Sequence, residues 1–300
     1  MKKILIFGKN GQVAWELQRS CAVLGEIRAC ASDEVNLEDN SQVAEVIRSY
    51  KPDYIINAAA YTAVDKAETD EERATQINGT AVGVMADEAK RSGARFIHYS
   101  TDYVFDGQKE GAYTEKDVPN PLNAYGRSKL KGEQLIQEIG GEYLNLRVSW
   151  VYSNYGSNFY NTMKRLATEK QELSIVNDQW GAPTWSRNIA DLTAQICTRD
   201  FGIAESGIFH LAPKGETTWF GFASEIFSIM KRRSIGRPII VKNIKPILSS
   251  DYASKTVRPQ NSRMNCAKLQ ECFGFSMPNW QDSLEDAYDE YYRILEVYGL

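Results

Sequence analysis

Short apolar runs alternate with stretches of helical period through the first half of the chain. Ile4 to Phe7 is an unbroken apolar run of strand length, and the residues after it carry Trp15, Leu17 and Leu24 at helix spacing. Ile27 to Ala31 predicts a second strand, Val43 to Tyr50 a helix and Tyr54 to Asn57 a third strand. Glu68 to Arg91 predicts one long helix and Arg95 to Ser100 a fourth strand. A helix over Ala124 to Ile139 and a strand over Tyr143 to Val148 continue the series. Such alternation predicts an α/β fold built on a doubly wound parallel sheet with right-handed crossovers.

After Trp150 the regularity loosens. Loops rich in Asn, Gly and Pro fall at Ser153 to Asn158, Asn177 to Thr184 and Pro246 to Pro259. Helices are predicted over Asn158 to Thr168, Arg187 to Thr198, Thr218 to Lys231 and Ser283 to Val297. The expected division is a main domain over 1–150 and a smaller C-terminal lobe over 151–300, laid on the sheet's carboxyl edge. The segment 187–212 is expected to rejoin the main domain, because Ile208 to Leu211 reads as a further strand.

Composition narrows the function classes. A chain of 300 residues, 43% hydrophobic and 25% charged, is an ordinary soluble globular protein. Its net charge of −4 offers no basic field to nucleic acid or an anionic membrane, so an anionic substrate must be met by locally placed donors. The five cysteines are odd in number and scattered, with no C-x-x-C pair, which argues against a disulfide framework or a zinc site. Only His98 and His210 exist as imidazole ligands, so no metal is expected. Reduced thiols, an N-terminal apolar run too short for a signal peptide and no membrane-spanning stretch predict a cytoplasmic protein.

Gly8-Lys9-Asn10-Gly11-Gln12-Val13-Ala14 follows the first strand and opens a helix. Small residues here let the backbone turn tightly and approach a pyrophosphate, whose charge the helix N-terminal amides bind. Between a first strand and a first helix this predicts a Rossmann dinucleotide site. Three alanines, Ala58, Ala59 and Ala60, close the third strand and leave space for a cofactor to cross them. The second strand ends without an acid at its tip, Ser32 preceding Asp33. NADPH is therefore the expected cofactor, with Ser32 a donor to the 2′-phosphate and NADH the alternative.

Tyr125-Gly126-Arg127-Ser128-Lys129 lies at the start of the helix predicted from Ala124, and residues four apart share a helix face. A free phenol titrates near pH 10, so an acid working near neutrality needs roughly 4 kcal/mol of help. A lysine ammonium beside Tyr125 and a positive nicotinamide ring are expected to supply it. In the reducing direction the neutral phenol protonates the oxygen that becomes an alkoxide as hydride arrives. Ser100-Thr101-Asp102 leaves the fourth strand at the sheet's carboxyl edge, where the Thr101 hydroxyl can share the carbonyl oxygen with Tyr125. Glycine turn, hydroxyl and Tyr/Lys pair in this order predict a short-chain dehydrogenase.

At these residues the chain resembles the extended short-chain dehydrogenases, and within them the dTDP-4-dehydrorhamnose reductase family. The resemblance rests on FGKNGQVAWELQ, NAAAYTAVDKAE, HYSTDYVFDG and PLNAYGRSKLKGE, and on RVSWVY, NDQWGAPT and RPQNSRMN outside the cofactor half. It implies hydride delivery from NAD(P)H to C4 of dTDP-4-dehydro-L-rhamnose, giving dTDP-L-rhamnose for cell-surface polysaccharide. It implies Tyr125 as proton donor, Lys129 as the residue orienting the nicotinamide ribose, and Thr101 as tuning the acid. Asp102 and Trp150 would contact the sugar nucleotide. Gly11, Gln12 and Val13, Asn36 and Leu37, and Ala60, Tyr61 and Thr62 would contact the cofactor.

Some members dimerise through a magnesium ion held by glutamates. This chain keeps Glu16 but carries Arg187 where a second glutamate is expected, so the expectation is a monomer or a homodimer without a magnesium bridge. Arg258 and Arg263 are candidates for the diphosphate. Two rival readings are another nucleotide-sugar enzyme, an epimerase or dehydratase, and a non-catalytic NADP-binding regulatory subunit like that of methionine adenosyltransferase.

Overall fold

The computed structural model describes residues 1–233, 238–253 and 256–298. Residues 254 and 255 of the expected Pro246 to Pro259 loop lie outside the described residues.

Six parallel strands form the central sheet, in the spatial order Gly207–His210, Tyr143–Val148, Arg95–Thr101, Tyr54–Asn57, Lys2–Phe7 and Gly25–Cys30. The first strand lies between the second and the third, with Ile4 in register with Ile27 on one side and Tyr54 on the other. Its apolar run, Ile4 to Phe7, is buried because helices cover both faces. Helices Gln12–Ser20 and Ser186–Arg199 pack on one face around Ala14, Leu17, Ile189 and Ile196. Helices Asn40–Tyr50, Ala81–Ser92 and Ala124–Ile139 cover the other through Val43, Ile47, Met85 and Ile136. The strand order reverses between the first and third strands, and a crevice opens there at the carboxyl ends.

Local chemistry explains where the elements depart from the apolar pattern. Helix Asn40–Tyr50 begins ahead of Val43 because the Asp39 carboxylate accepts from the Ser41 and Gln42 amides. The single helix expected from Glu68 to Arg91 is broken. Short helices Val64–Ala67 and Glu71–Thr75 are followed by a π-helical turn, Gln76–Thr80, and then Ala81–Ser92. Asn78 accounts for that turn: its carboxamide accepts from the Tyr61 amide and donates to the Tyr61 carbonyl and the Ser128 hydroxyl. One inserted residue lets this side chain reach the loop after the third strand.

The chain beyond Trp150 has a core of its own, in which Tyr152, Tyr160, Trp185, Phe222, Trp280 and Leu284 meet. Helices Phe159–Ala167, Trp219–Arg233 and Trp280–Tyr298 supply it. The strand expected at Ile208 to Leu211 is Gly207–His210, paired in parallel with Tyr143–Val148. No described helix is long and apolar enough to cross a membrane.

Candidate active site

A cleft of about 1700 Å³ lies between the sheet's carboxyl edge and the C-terminal lobe. Its floor is the glycine turn. Gly8 has φ +94°, and a Cβ on it would lie 2.8 Å from the Ala59 nitrogen, so only glycine lets the ends of the first and third strands touch. Helix Gln12–Ser20 starts after Gly11 without a side-chain cap, and Gly11, Gln12 and Val13 line the cleft. Uncapped first-turn amides on the wall of a cleft this size fit the pyrophosphate of a dinucleotide.

Asn36, Leu37, Ala58, Ala59, Ala60 and Thr62 also stand on the wall. Tyr61 departs from expectation: it is not a wall residue. Its ring packs with Ala67, Ala74 and Ala124, and its hydroxyl donates to Asp70 at 3.1 Å. Ser32 lines the cleft whereas Asp33 does not. The neighbouring Glu34 is turned back onto the Ala31 amide at 2.9 Å and Lys9 at 3.1 Å.

Helix Ala124–Ile139, which carries Tyr125 and Lys129, is fixed at its start by the Asn123 side chain, which accepts from the Gly126 amide at 2.8 Å. Glu68 accepts from the Ala124 amide at 2.8 Å. Gly126 brings this helix against the segment after the fourth strand, since a Cβ there would sit 2.2 Å from the Tyr103 carbonyl oxygen. Tyr125 and Thr101 thereby meet on the wall. The Tyr103 ring packs edge-on against the Tyr125 ring at 5.6 Å. The Thr101 hydroxyl accepts from the Tyr103 amide at 3.2 Å and donates to Asp102 Oδ1 at 3.1 Å.

Burial pushes the Tyr125 phenol up to about 12, a hydrogen bond with Thr101 pulls the other way, and the Asp102 charge adds to the rise. The help expected from Lys129 is not what the geometry provides. Lys129 Nζ instead donates to the Tyr99 carbonyl at 2.6 Å and lies 3.2 Å from His98 Nε2, and burial lowers the ammonium to about 7. The consequence suits reduction: a phenol held this high is protonated throughout the neutral range, as a proton donor must be.

Asp102 is buried with Oδ2 unpartnered, and burial raises its carboxyl to about 6, against hydrogen bonds from Ser262 and Thr101. Trp150 lines the cleft from the end of the fifth strand with φ +48°, a strained conformation for a bulky residue. Arg258 is a wall residue whose guanidinium lies 3.4 Å from Asp65. Arg263 is not; it is anchored on Asn261 at 2.9 Å and on Glu216 at 3.4 Å.

Residues 1–293 match the family described as the RmlD substrate binding domain. The chain belongs to this family. A dTDP-4-dehydrorhamnose reductase of Burkholderia thailandensis is 47% identical over 284 residues, covering 93% of this chain and 95% of the relative. That of Escherichia coli K12 is 42% identical over 299 residues, covering 98% and 99%. The crystal structure of the Bacillus anthracis dTDP-4-dehydrorhamnose reductase in complex with NADP superposes with a TM-score of 0.89 at 32% identity, covering 96% of this chain and 99% of that one.

Within this RmlD-family site, three features escaped the sequence reading. Trp219 stacks on Trp150 and also lines the cleft. Gln179 accepts from the Trp219 indole at 3.1 Å. Asn57 and His98 connect the cofactor loop to Lys129. A tryptophan opening an amphipathic helix and a histidine inside an apolar strand both read as core, so neither gave a signal.

Proposed function

We propose that the chain is an NADPH-dependent oxidoreductase that converts dTDP-4-dehydrorhamnose to dTDP-L-rhamnose. The observation that carries this reading is the meeting of Thr101 and a protonated Tyr125 on one wall of a cleft floored by the glycine turn. Bound NADPH supplies the hydride to C4 of the sugar. Tyr125 gives its proton to the oxygen on that carbon while Thr101 holds the phenol in line. Lys129 orients the nicotinamide ribose from the same helix face. Asp102 and Trp150 contact the sugar nucleotide, Arg258 meets the diphosphate, and the lobe over 151–300 encloses the substrate.

NADPH is preferred to NADH because Ser32 is on the wall and Asp33 is off it, and Glu38, a carboxylate that does line the cleft, is paired with Arg73 at 3.0 Å. The Bacillus anthracis relative, solved with NADP, supports this choice. The five free thiols fit a reducing cytoplasm. The relatives that are 47% and 42% identical favour a reductase over the epimerase, dehydratase and regulatory-subunit readings.

The test is turnover of enzymatically made dTDP-4-dehydrorhamnose with NADPH and with NADH, in wild type and Tyr125→Phe. Stoichiometric NADPH oxidation is expected. The variant should keep cofactor binding and lose about 10²- to 10⁴-fold in turnover, the usual worth of a positioned acid. A product formed without net cofactor consumption would mean epimerisation or dehydration instead.

A further inference from the structure

Lys129 ends a series of hydrogen bonds that starts in the backbone of the cofactor loop, and each bond dictates the next. We propose that His98, locked in one tautomer by Asn57, is a positioning residue that keeps Lys129 an uncharged amine before the reaction. The inference rests on Tyr125 and Lys129 being the reacting pair's acid and its partner.

The Ala59 amide donates to Asn57 Oδ1 at 3.1 Å, which settles the orientation of the carboxamide; turned over, it would set N–H against N–H. Asn57 Nδ2 therefore faces His98 Nδ1 at 3.1 Å and donates to it. A neutral imidazole that accepts at Nδ1 carries its proton on Nε2. Nε2 lies 3.2 Å from Lys129 Nζ, so this N–H needs a lone pair on the lysine nitrogen. A neutral amine has one and an ammonium has none. Of the amine's two N–H groups, one goes to the Tyr99 carbonyl at 2.6 Å, which leaves the other for the nicotinamide ribose.

The arrangement is rigid and enclosed. Asn57 and His98 are cross-strand partners in the sheet, both 0% exposed, and Lys129 is 2% exposed. Two N–H groups facing each other in such a place would leave buried donors unmet. The charges around Lys129 do not reverse this. Glu133, one turn along the helix, favours an ammonium, but both its oxygens are taken by Arg147 from the fifth strand, at 2.9 and 2.6 Å. Tyr125, one turn back, is neutral, and Asp102 acts on Tyr125. On the fourth strand, burial alone is enough to hold His98 well below its usual range. Burial moves Lys129 in the same direction.

The chain has two histidines, so ¹⁵N imidazole spectra of the full-length protein hold two pairs of ring-nitrogen signals, and His98→Gln identifies one pair. We expect His98 to remain neutral with its proton on Nε2 between about pH 6 and 9. An Nδ1–H tautomer or an imidazolium in that range overturns the proposal. The second arm is Asn57→Asp, whose carboxylate accepts from Nδ1–H and turns the tautomer over. The Nε2 lone pair then favours the ammonium, and the Lys129 limb of the kcat/KM profile moves up by about one pH unit or more. A uniform loss of activity with that limb unmoved marks a merely structural role and also overturns the proposal. The spectra need no turnover, so a chain inactive on the sugar nucleotide would disprove the proposed function while leaving the tautomer result intact.

Discussion

Trp150 and Trp219 lie face to face, with ring centroids 3.7 Å apart and planes 13° from parallel. The strained backbone at Trp150 costs about 1–3 kcal/mol, and its neighbours hold the indole in place. One flank is Trp219. Gly181 also lies close, since a Cβ there would come within 2.7 Å of the Trp150 ring. Trp219 is itself tied to Gln179. An aromatic pair held this firmly on the cleft wall offers the sugar nucleotide a preformed surface. Trp219→Ala is expected to raise KM for the sugar nucleotide about 3- to 10-fold, as ~1 kcal/mol of ring stacking implies, with NADPH binding unchanged. Steady-state kinetics with each substrate varied in turn decide it; equal effects on both would assign Trp219 to general packing.

Arg187 bridges Glu16 and Glu290, with Nε 3.3 Å from Glu16 and the far end of the guanidinium on Glu290. Glu16 also holds Arg19 at 2.8 Å. Two guanidinium groups already neutralise the one buried carboxylate on which a divalent ion would depend. Turnover and solution mass are therefore expected to be indifferent to chelator and to added magnesium. Light scattering with and without the metal checks this, and a magnesium-dependent dimer would contradict it.

The parts of the fold legible in the sequence are those where burial on both faces writes an apolar run. Ala124–Ile139 and Tyr143–Val148 have the bounds that their pattern predicts. The glycine turn and the Tyr125/Lys129 pair were legible because backbone approach and helix spacing restrict residue type. The π turn at Gln76–Thr80 was not, because one inserted residue barely disturbs a helical period, and its cause, Asn78, acts on Tyr61 and Ser128 far away in the chain. The hydrogen-bond partners of Lys129 were not legible for a related reason. Spacing set Lys129 beside Tyr125, but its hydrogen bonds come from the neighbouring strand.

Lys164 is buried in the C-terminal lobe, with Nζ 3.4 Å from the centre of the Tyr291 ring and 4.1 Å from that of Tyr160. Burial brings its ammonium down to about 7, whereas an unfolded lysine titrates near 10.4. Between those values the unfolded chain binds more protons than the folded one. This residue's contribution to stability therefore rises as pH climbs from about 7 towards 10, and is flat and lowest below 7. The two rings offset part of the cost. Lys164→Met is expected to raise Tm at pH 7 by roughly 2–4 °C, the shift that ~1 kcal/mol gives a chain of this size. The advantage should vanish near pH 10. Thermal melts across that range test it, and a constant difference would exclude titration of Lys164 as the cause.

Beneath the catalytic helix, Glu133 and Arg147 form a two-pronged ion pair at 2.9 and 2.6 Å with almost no exposure. The guanidinium carbon also lies 4.9 Å from the centre of the Phe105 ring. Burial and then the Arg147 charge hold His210 down at about 3, so the imidazole stays neutral beside it. Removing one partner strands the other charge in the interior, which costs about 3–5 kcal/mol, whereas replacing both by apolar residues of similar volume is close to neutral. Glu133→Gln and Arg147→Met should each cost that much in denaturant unfolding, and Glu133→Leu with Arg147→Met should recover most of it. The two single variants differ in what they do to Lys129. Arg147→Met frees the Glu133 carboxylate to favour the ammonium, so its Lys129 limb should shift upward in pH. Glu133→Gln removes the carboxylate and should not raise it. Equal pH profiles for the two would mean that the pair supports the helix without bearing on the lysine.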